Sequence, residues 1–479
     1  MRGAAAGSVD WAAADAAARG TPTGRAMAEA KEERTKGEGP PHVTASLRLH
    51  GAKEEEIRLT YYRDHAGWCP YCQKTWNLIE EKKIPCRIER INMRSYGPKP
   101  RAFLDKVRGG LLPVIELDGQ VVTESLVIMQ LLEQEFPGGA FGPYGPAALP
   151  GPGDKDTLER SNRLLKAERQ LFGAWCNLAF RPSAPAMPSF LNRGGGGGKS
   201  QAMGAFEAQL DAMDAALGET PGPFFNGGGD PDIVDWQYVS HVERMNASVL
   251  YWKGLQVRGS GRWPHIDAWF DAFEERPAYM ATKSDYYTHI MAEGPQYGPG
   301  YPDEAPEAKA ARAAIGGKDG WTLAAADAGR DLEPYTAAER AAGPQAWRHE
   351  AAASVAANGA AVSRFACRGM GEAERSYQAP LSDPLAKPDL DWEEDVSRAL
   401  VAVCAALLDD GGPLQGGAGA QKAAEAAAAC REAGRAAGTA ACLEYLRDRV
   451  GVPRDMSYPA AMQLRGALNW FVGLLGGGE

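Results

Sequence analysis

The run Trp68-Cys69-Pro70-Tyr71-Cys72 constrains this chain more than any other stretch. An extended segment, Ile57 to Tyr62, leads into it and reads as a strand. A helical pattern follows from Gln73 to Lys82, with Trp76, Leu78 and Ile79 as its apolar positions. The two cysteines therefore sit where a strand turns into a helix. Pro70 suits the first helical turn, where its missing N–H would be unpaired anyway. That places Cys69 at the helix start and Cys72 one turn in. The free N–H groups and the dipole at that end favour a thiolate. Cys69 is thus the expected nucleophile, and Cys72 is placed to attack a mixed disulfide formed on it. Two ordinary buried cysteines, or half of a zinc site, would share the spacing. No second CxxC or Cys/His pair lies nearby to complete a metal site.

At 479 residues the chain is too long for one ordinary core, and about three domains are expected. A net charge of -10 without a basic cluster argues against nucleic acid as a partner. No apolar run reaches the length of a membrane-spanning helix. The other cysteines, Cys86, Cys176, Cys367, Cys404, Cys430 and Cys442, are scattered in apolar or Ala-rich surroundings. They read as small core hydrophobes in a reducing compartment. No metal is expected: His349-Glu350 is a lone pair, and no other histidine follows residue 300.

Residues 1–55 are rich in Ala, Gly and charge, without the apolar core of a secretory signal. Arg2, Arg19 and Arg25 suggest a transit peptide, whereas Asp10 and Asp15 argue against one. Met27 to Lys36 could form a charged helix, broken by Pro40-Pro41. This segment is expected to be flexible or draped on a later domain.

Residues 56–140 read as one α/β unit. After the cysteine helix come a strand at Cys86–Ile91, a helix from Pro100 to Val107 and a strand at Leu112–Leu117. Asp118-Gly119 makes a hairpin turn to Gln120–Val122, and Thr123-Glu124-Ser125 opens a helix ending at Phe136. The order β-α-β-α-β-β-α with CxxC after the first strand is that of a thioredoxin-like domain. The stretch from Ile57 to Pro137 resembles the N-terminal domain of glutathione transferases, of the cysteine-type classes related to omega-type and glutaredoxin-like members. The resemblance rests on Lys99-Pro100 with Phe103, on Gly110-Leu111-Leu112-Pro113-Val114 and on Glu124-Ser125. It implies glutathione as co-substrate. Pro113 would be the family's cis-proline, and Leu112 N–H and C=O would pair with the cysteinyl backbone of glutathione. Ser125 would hold the γ-glutamyl carboxylate at a helix start, Glu124 its ammonium, and Lys99 a carboxylate. Trp68, Pro70 and Tyr71 complete the implied glutathione site beside Cys69 and Cys72.

After a Pro/Gly linker, residues 152–290 read as the all-α transferase domain. Helical periods run from Leu158 to Leu178 and from Ala205 to Leu217, around a Gly-rich loop ending at Gly198. Asp232 and Asp235 resemble the family's capping box. His241, His265 and His289 read as satisfied residues rather than catalysts. A site for hydrophobic substrate is expected above Cys69, with Tyr62, His65, Trp68 and the helix from Leu164 to Trp175 as candidates.

Residues 300–479 form an Ala-rich helical extension, with helices expected at Pro344–Phe365, Glu393–Leu408, Gln421–Ala436, Ala440–Val450 and Ser457–Leu475. Its few reactive side chains suggest a structured lid or docking region, and its apolar last helix must be covered by the transferase body, a second copy or a partner. With CPYC and the ending Val452-Pro453-Arg454-Asp455-Met456-Ser457, the chain resembles iota-type glutathione transferases of algae, cyanobacteria and mosses. That implies a plastid stroma location, with cytoplasm as the alternative. A cysteine nucleophile implies thiol transfer: deglutathionylation, or reduction of disulfides and dehydroascorbate-type compounds. Conjugation of glutathione to a small electrophile, and a non-catalytic ligand-binding scaffold, are the alternatives. A homodimer, or a docking partner engaged through the extension, is the corresponding expectation for partners.

Overall fold

A computed structural model describes residues 9–151, 153–182, 200–327, 332–373 and 379–477. Most of the Gly-rich loop before Lys199 lies outside the described residues. The chain divides into two compact units, Arg34–Ile315 with Asp331–Glu333, and Met1–Glu33 with Gly316–Arg330 and Pro334–Glu479.

The described part of the N-terminal segment is draped on a later part of the chain, one of the two states expected of it. It holds helices α1 (Trp11–Arg19) and α2 (Pro22–Thr35). Asp10 caps α1 by accepting the Ala13 N–H at 2.9 Å. Ala18 is fully buried with Ala353 and Ala356 in an apolar cluster that Ala14, Met27 and Leu408 border. Trp11 lies against Gly359, where an added Cβ would come within 2.1 Å of the indole. Alanine forms helix readily but carries little apolar area, so composition alone does not separate a docked helix from a loose one.

The first unit opens with β1 (Leu47–Arg48), β2 (Leu59–Asp64), α3 (Pro70–Glu81), β3 (Cys86–Ile91), α4 (Arg101–Lys106), β4 (Val114–Leu117), β5 (Gln120–Val122) and α5 (Ser125–Glu135). The sheet order is β1-β3-β2-β4-β5. β2 runs parallel to β3 and antiparallel to β4, and β1 pairs with β3, so the sheet of this thioredoxin-like domain begins before residue 56. Asp118 and Gly119 both have positive φ, 50° and 82°, as the hairpin turn requires. Alternation along β2 sends neighbouring side chains to opposite faces. Tyr61 faces α3, and its hydroxyl donates to the Cys72 carbonyl at 2.7 Å. Tyr62 joins an apolar cluster with Ile91, Phe103, Val107 and Val114.

The all-α domain comprises α6 (Lys155–Ala179), α7 (Gln201–Gly218), α8 (Ile233–Lys253), α9 (Pro264–Glu274), α10 (Pro277–Met280), α11 (Tyr286–Tyr297) and α12 (Pro306–Gly316). Helix α8 is its axis, buried along almost its whole length. A capping box starts it: Asp232 accepts the Val234 N–H at 2.8 Å, and Asp235 accepts the Asp232 N–H at 3.1 Å. Asp235 also takes the Trp269 indole N–H at 2.8 Å and the Phe225 N–H at 3.1 Å, tying α8 to α9. Residues 306–315 stay with this unit, with Ala308, Ala311 and Ile315 buried.

The second unit adds to α1 the helices α13 (Leu323–Asp327), α14 (Ala337–Ala356), α15 (Gly359–Ala366), α16 (Glu393–Leu408), α17 (Ala418–Glu432), α18 (Ala436–Arg447) and α19 (Tyr458–Leu475). Helix α14 is broken at Gly343, which has φ 75° just before Pro344. Within this unit α19 is covered: Met462, Leu464, Leu468 and Phe471 are buried. Among the described residues no helix is long and apolar enough to cross a membrane.

Candidate active site

Asp64 ends β2 and shapes the loop after it. Its Oδ2 accepts the Trp68 N–H at 2.8 Å and the Ala66 N–H at 3.2 Å, folding that loop back on itself. Cys69 is then the N-cap of α3, Pro70 its first residue, and the Gln73 N–H closes the first turn on the Cys69 carbonyl at 2.9 Å. Both cysteines are buried free thiols, Cys69 slightly less than Cys72. The Cys72 thiol hydrogen-bonds to Cys69 and holds its pKa below the ordinary thiol range; the Cys72 backbone N–H and the Arg244 charge act the same way, while burial and Asp64 oppose them. Burial pushes Cys72 well up, and its bond to Cys69 adds to this. The Asp64 N–H also points at Cys72 Sγ, at 3.4 Å. One thiol is thus poised to ionise and its neighbour to keep its proton.

Helix α8 reaches into this loop. Arg244 donates to the Trp68 carbonyl at 2.9 Å and to Gln73 Oε1 at 2.7 Å. Gln73 Nε2 donates to Glu243 at 2.8 Å, and Glu243 pairs with His289 at 2.8 Å. Lys74 is fully buried one residue further on, donating to Gln237 Oε1 at 2.7 Å. Burial drives its pKa down to about 7, against the pull of Glu168. Glu168 lies 3.2 Å from His241 and pairs with Arg169. Burial opposes its charge, yet His241 and Arg169 hold its pKa at about 2. Burial lowers His241 to about 4.

Most of the predicted residues gather around the start of α3. Trp68 is buried against His65 and Tyr96, with ring centroids 5.9 and 5.3 Å away. Tyr71 meets the His241 ring at 5.2 Å, and Phe172 of α6 meets the same ring at 5.0 Å. These rings form the wall beside the helix start. Lys99 donates to the Gly110 carbonyl, and burial lowers its pKa while the charges of Cys72 and Cys69 draw it up. The Leu112–Pro113 peptide is cis, and Leu112 packs against the Tyr62 cluster. Glu124 caps α5 at φ 68° and stays exposed, with Ser125 buried next to it. The charges of Cys69 and Glu124 both bear on Lys74. Tyr62 does not join this group: strand alternation turns it to the opposite face of the sheet, where Lys106 donates to its hydroxyl at 2.9 Å. His265 sits apart, 3.0 Å from Asp214. Asp64, Lys74, Arg244 and Tyr297 escaped the sequence reading, whereas Glu168 lies within the predicted stretch from Leu164 to Trp175. Tyr297 has an enclosed hydroxyl without a hydrogen-bond partner, within electrostatic reach of Cys69. Of these, Lys74 alone left a sequence signal, the polar run Gln73-Lys74-Thr75 inside a helix that is buried from Cys72 to Glu80.

Residues 68–135 match the family model of the glutathione S-transferase N-terminal domain, and residues 189–272 that of the C-terminal domain. The chain thus carries the two domains of the glutathione S-transferase superfamily, in that order. "Glutathione S-transferase DHAR2" of Arabidopsis thaliana is 42% identical over 74 residues, which are 15% of this chain and 33% of that protein. The chain therefore spans about a third of the length of that relative. "Protein IN2-1 homolog A" of Oryza sativa is 25% identical over 220 residues, 46% of this chain and 78% of that one. Among solved structures, dehydroascorbate reductase of Chlamydomonas reinhardtii aligns with 50% of this chain and 99% of its own at 20% identity and a TM-score of 0.36.

Proposed function

We propose that this chain is a glutathione-dependent thiol transferase working through a mixed disulfide on Cys69. One observation carries the reading: Cys69 caps a helix N-terminus and receives hydrogen bonds from Cys72, so its thiolate is favoured while Cys72 stays protonated. The Cys69 thiolate attacks the glutathionyl sulfur of a mixed disulfide. A Cys69–glutathione S–S bond forms, and the substrate leaves as its thiolate and takes a proton. A second glutathione thiolate then attacks the adduct and releases glutathione disulfide. Alternatively Cys72 gives up its proton and displaces glutathione, leaving a Cys69–Cys72 disulfide for later reduction.

Glutathione would lie along the backbone of Leu112 beside Pro113, with Lys99 on a carboxylate and Glu124 and Ser125 at its γ-glutamyl end. Trp68, Pro70 and Tyr71 would frame its sulfur. A relative named "Glutathione S-transferase DHAR3, chloroplastic" supports glutathione-dependent chemistry in a plastid, and the substrates would be disulfides or dehydroascorbate-type compounds. Incubation with glutathione disulfide followed by intact-mass and peptide mass spectrometry tests the reading. One glutathionyl group on Cys69, released with formation of a Cys69–Cys72 disulfide, is expected. An unmodified Cys69 in a folded protein overturns it.

A further inference from the structure

The run Val452 to Ser457 has no part in this chemistry. It forms the turn between α18 and α19 and is pinned along its length. Arg454 donates to the Arg449 carbonyl at 2.9 Å and pairs with Asp455 at 2.6 Å. Asp455 accepts the Gly451 N–H at 2.8 Å. The Ser457 N–H and hydroxyl both donate to Glu350 of α14, each at 2.7 Å. This rigid turn closes one side of a cavity of about 420 Å³, whose other walls come from α14, α15, α18 and α19. The volume lies in the range of small-molecule sites. Val355, Val362, Phe365, Leu446, Met456 and Leu464 make the lining mainly apolar.

Arg449 also lines it. Its guanidinium carbon sits 3.5 Å over the Tyr445 ring, and Nη1 donates to the Tyr445 carbonyl at 3.3 Å. Its Nε is enclosed and has no hydrogen-bond partner. An enclosed N–H without an acceptor costs free energy, which a ligand oxygen would recover. The edge of a guanidinium matches the two oxygens of a carboxylate. The neighbouring Arg454 is already neutralised by Asp455. We propose that this cavity is a binding site for a small amphipathic carboxylate, its acid group on Arg449 and its apolar body against Val362, Phe365 and Met456. The extension then carries a ligand site of its own, separate in sequence and chemistry from the glutathione site.

The test is calorimetric titration of the full chain with octanoate and with 2-naphthoate, with 1-octanol and 2-naphthol as uncharged controls. At least one carboxylate is expected to bind once per chain, about tenfold or more tighter than its alcohol. Arg449→Gln should remove that advantage, and Val362→Trp, which fills the cavity, should abolish binding while thiol transfer at Cys69 continues. Absence of binding by both carboxylates, or alcohols binding as tightly as the acids, overturns the proposal without recourse to any variant. So does a carboxylate that competes with glutathione or survives both substitutions. None of these results bears on Cys69, so failure here and failure of the thiol-transferase reading are distinguishable.

Discussion

The Arg244 guanidinium, on α8 of the all-α domain, donates to the carbonyl of Trp68, the residue before Cys69, at 2.9 Å. The thiol-bearing loop of the thioredoxin-like domain is thus held from the helical domain. Arg244→Gln keeps the size of the side chain in part and loses the charge. Stability should fall by about 2 kcal/mol, the scale for a buried charged hydrogen bond. The Cys69 pKa should rise, because Arg244 is one of the groups that lower it. Iodoacetamide alkylation rates against pH would show the profile moving to the alkaline side; an unmoved profile would separate Arg244 from Cys69.

Cys69→Ser should abolish thiol transfer, since a hydroxyl does not form the mixed disulfide. Cys72→Ser should leave deglutathionylation of a monothiol substrate largely intact, because free glutathione can resolve the adduct. Steady-state rates on a glutathionylated peptide decide both.

Stability should climb with pH in two windows. Burial lowers His241 from 6.5 to about 4, so between those values the unfolded chain binds more protons than the folded one. Stability then rises with pH by roughly 1.4 kcal/mol per unit for such a group. Lys74, lowered from 10.5 to about 7, repeats this at higher pH. Urea denaturation at fixed pH values should show both slopes, and Lys74→Met should flatten the alkaline one and, by removing a charge that lowers His241, soften the acid one.

Glu124→Ala should weaken glutathione binding about tenfold or more, the loss expected for one charge-assisted hydrogen bond. Calorimetry with the reduced peptide gives the answer directly, and unchanged affinity would remove Glu124 from the site.

Trp11→Ala should cost the second unit about 2 kcal/mol, since the indole covers Gly359. Thermal unfolding would register it, while alkylation of Cys69 in the native protein should not change.

Strands and helices with strong periodicity were legible. Cys86–Ile91, Gln120–Val122 and Glu393–Leu408 fall where the pattern puts them, and Asp232 with Asp235 caps α8. What pattern reading lost is the environment of polar residues. On α3 it saw Trp76, Leu78 and Ile79 as the inner face, yet Gln73, Lys74, Thr75 and Asn77 are buried as well. A second domain covers the face that would otherwise meet water, and nothing local to the helix encodes that. Tyr62 was misplaced for a simpler reason: which of two adjacent tyrosines faces the cysteine helix depends on strand phase, and Tyr61 and Tyr62 are both aromatic. The alanines of α1 were a poor guide to burial because each carries little apolar area, as do Ala353 and Ala356, which they meet.

The membership of α1 in the unit built by Pro334–Glu479 has a consequence for biosynthesis. Helix α1 leaves the ribosome ahead of the transferase body and finds its partners on α14 and α16 only after that body has been made. At ordinary elongation rates that interval is tens of seconds. The thioredoxin-like and all-α domains have all their own residues by then, so order of synthesis makes the second unit close after them, with α1 available meanwhile to chaperones and proteases.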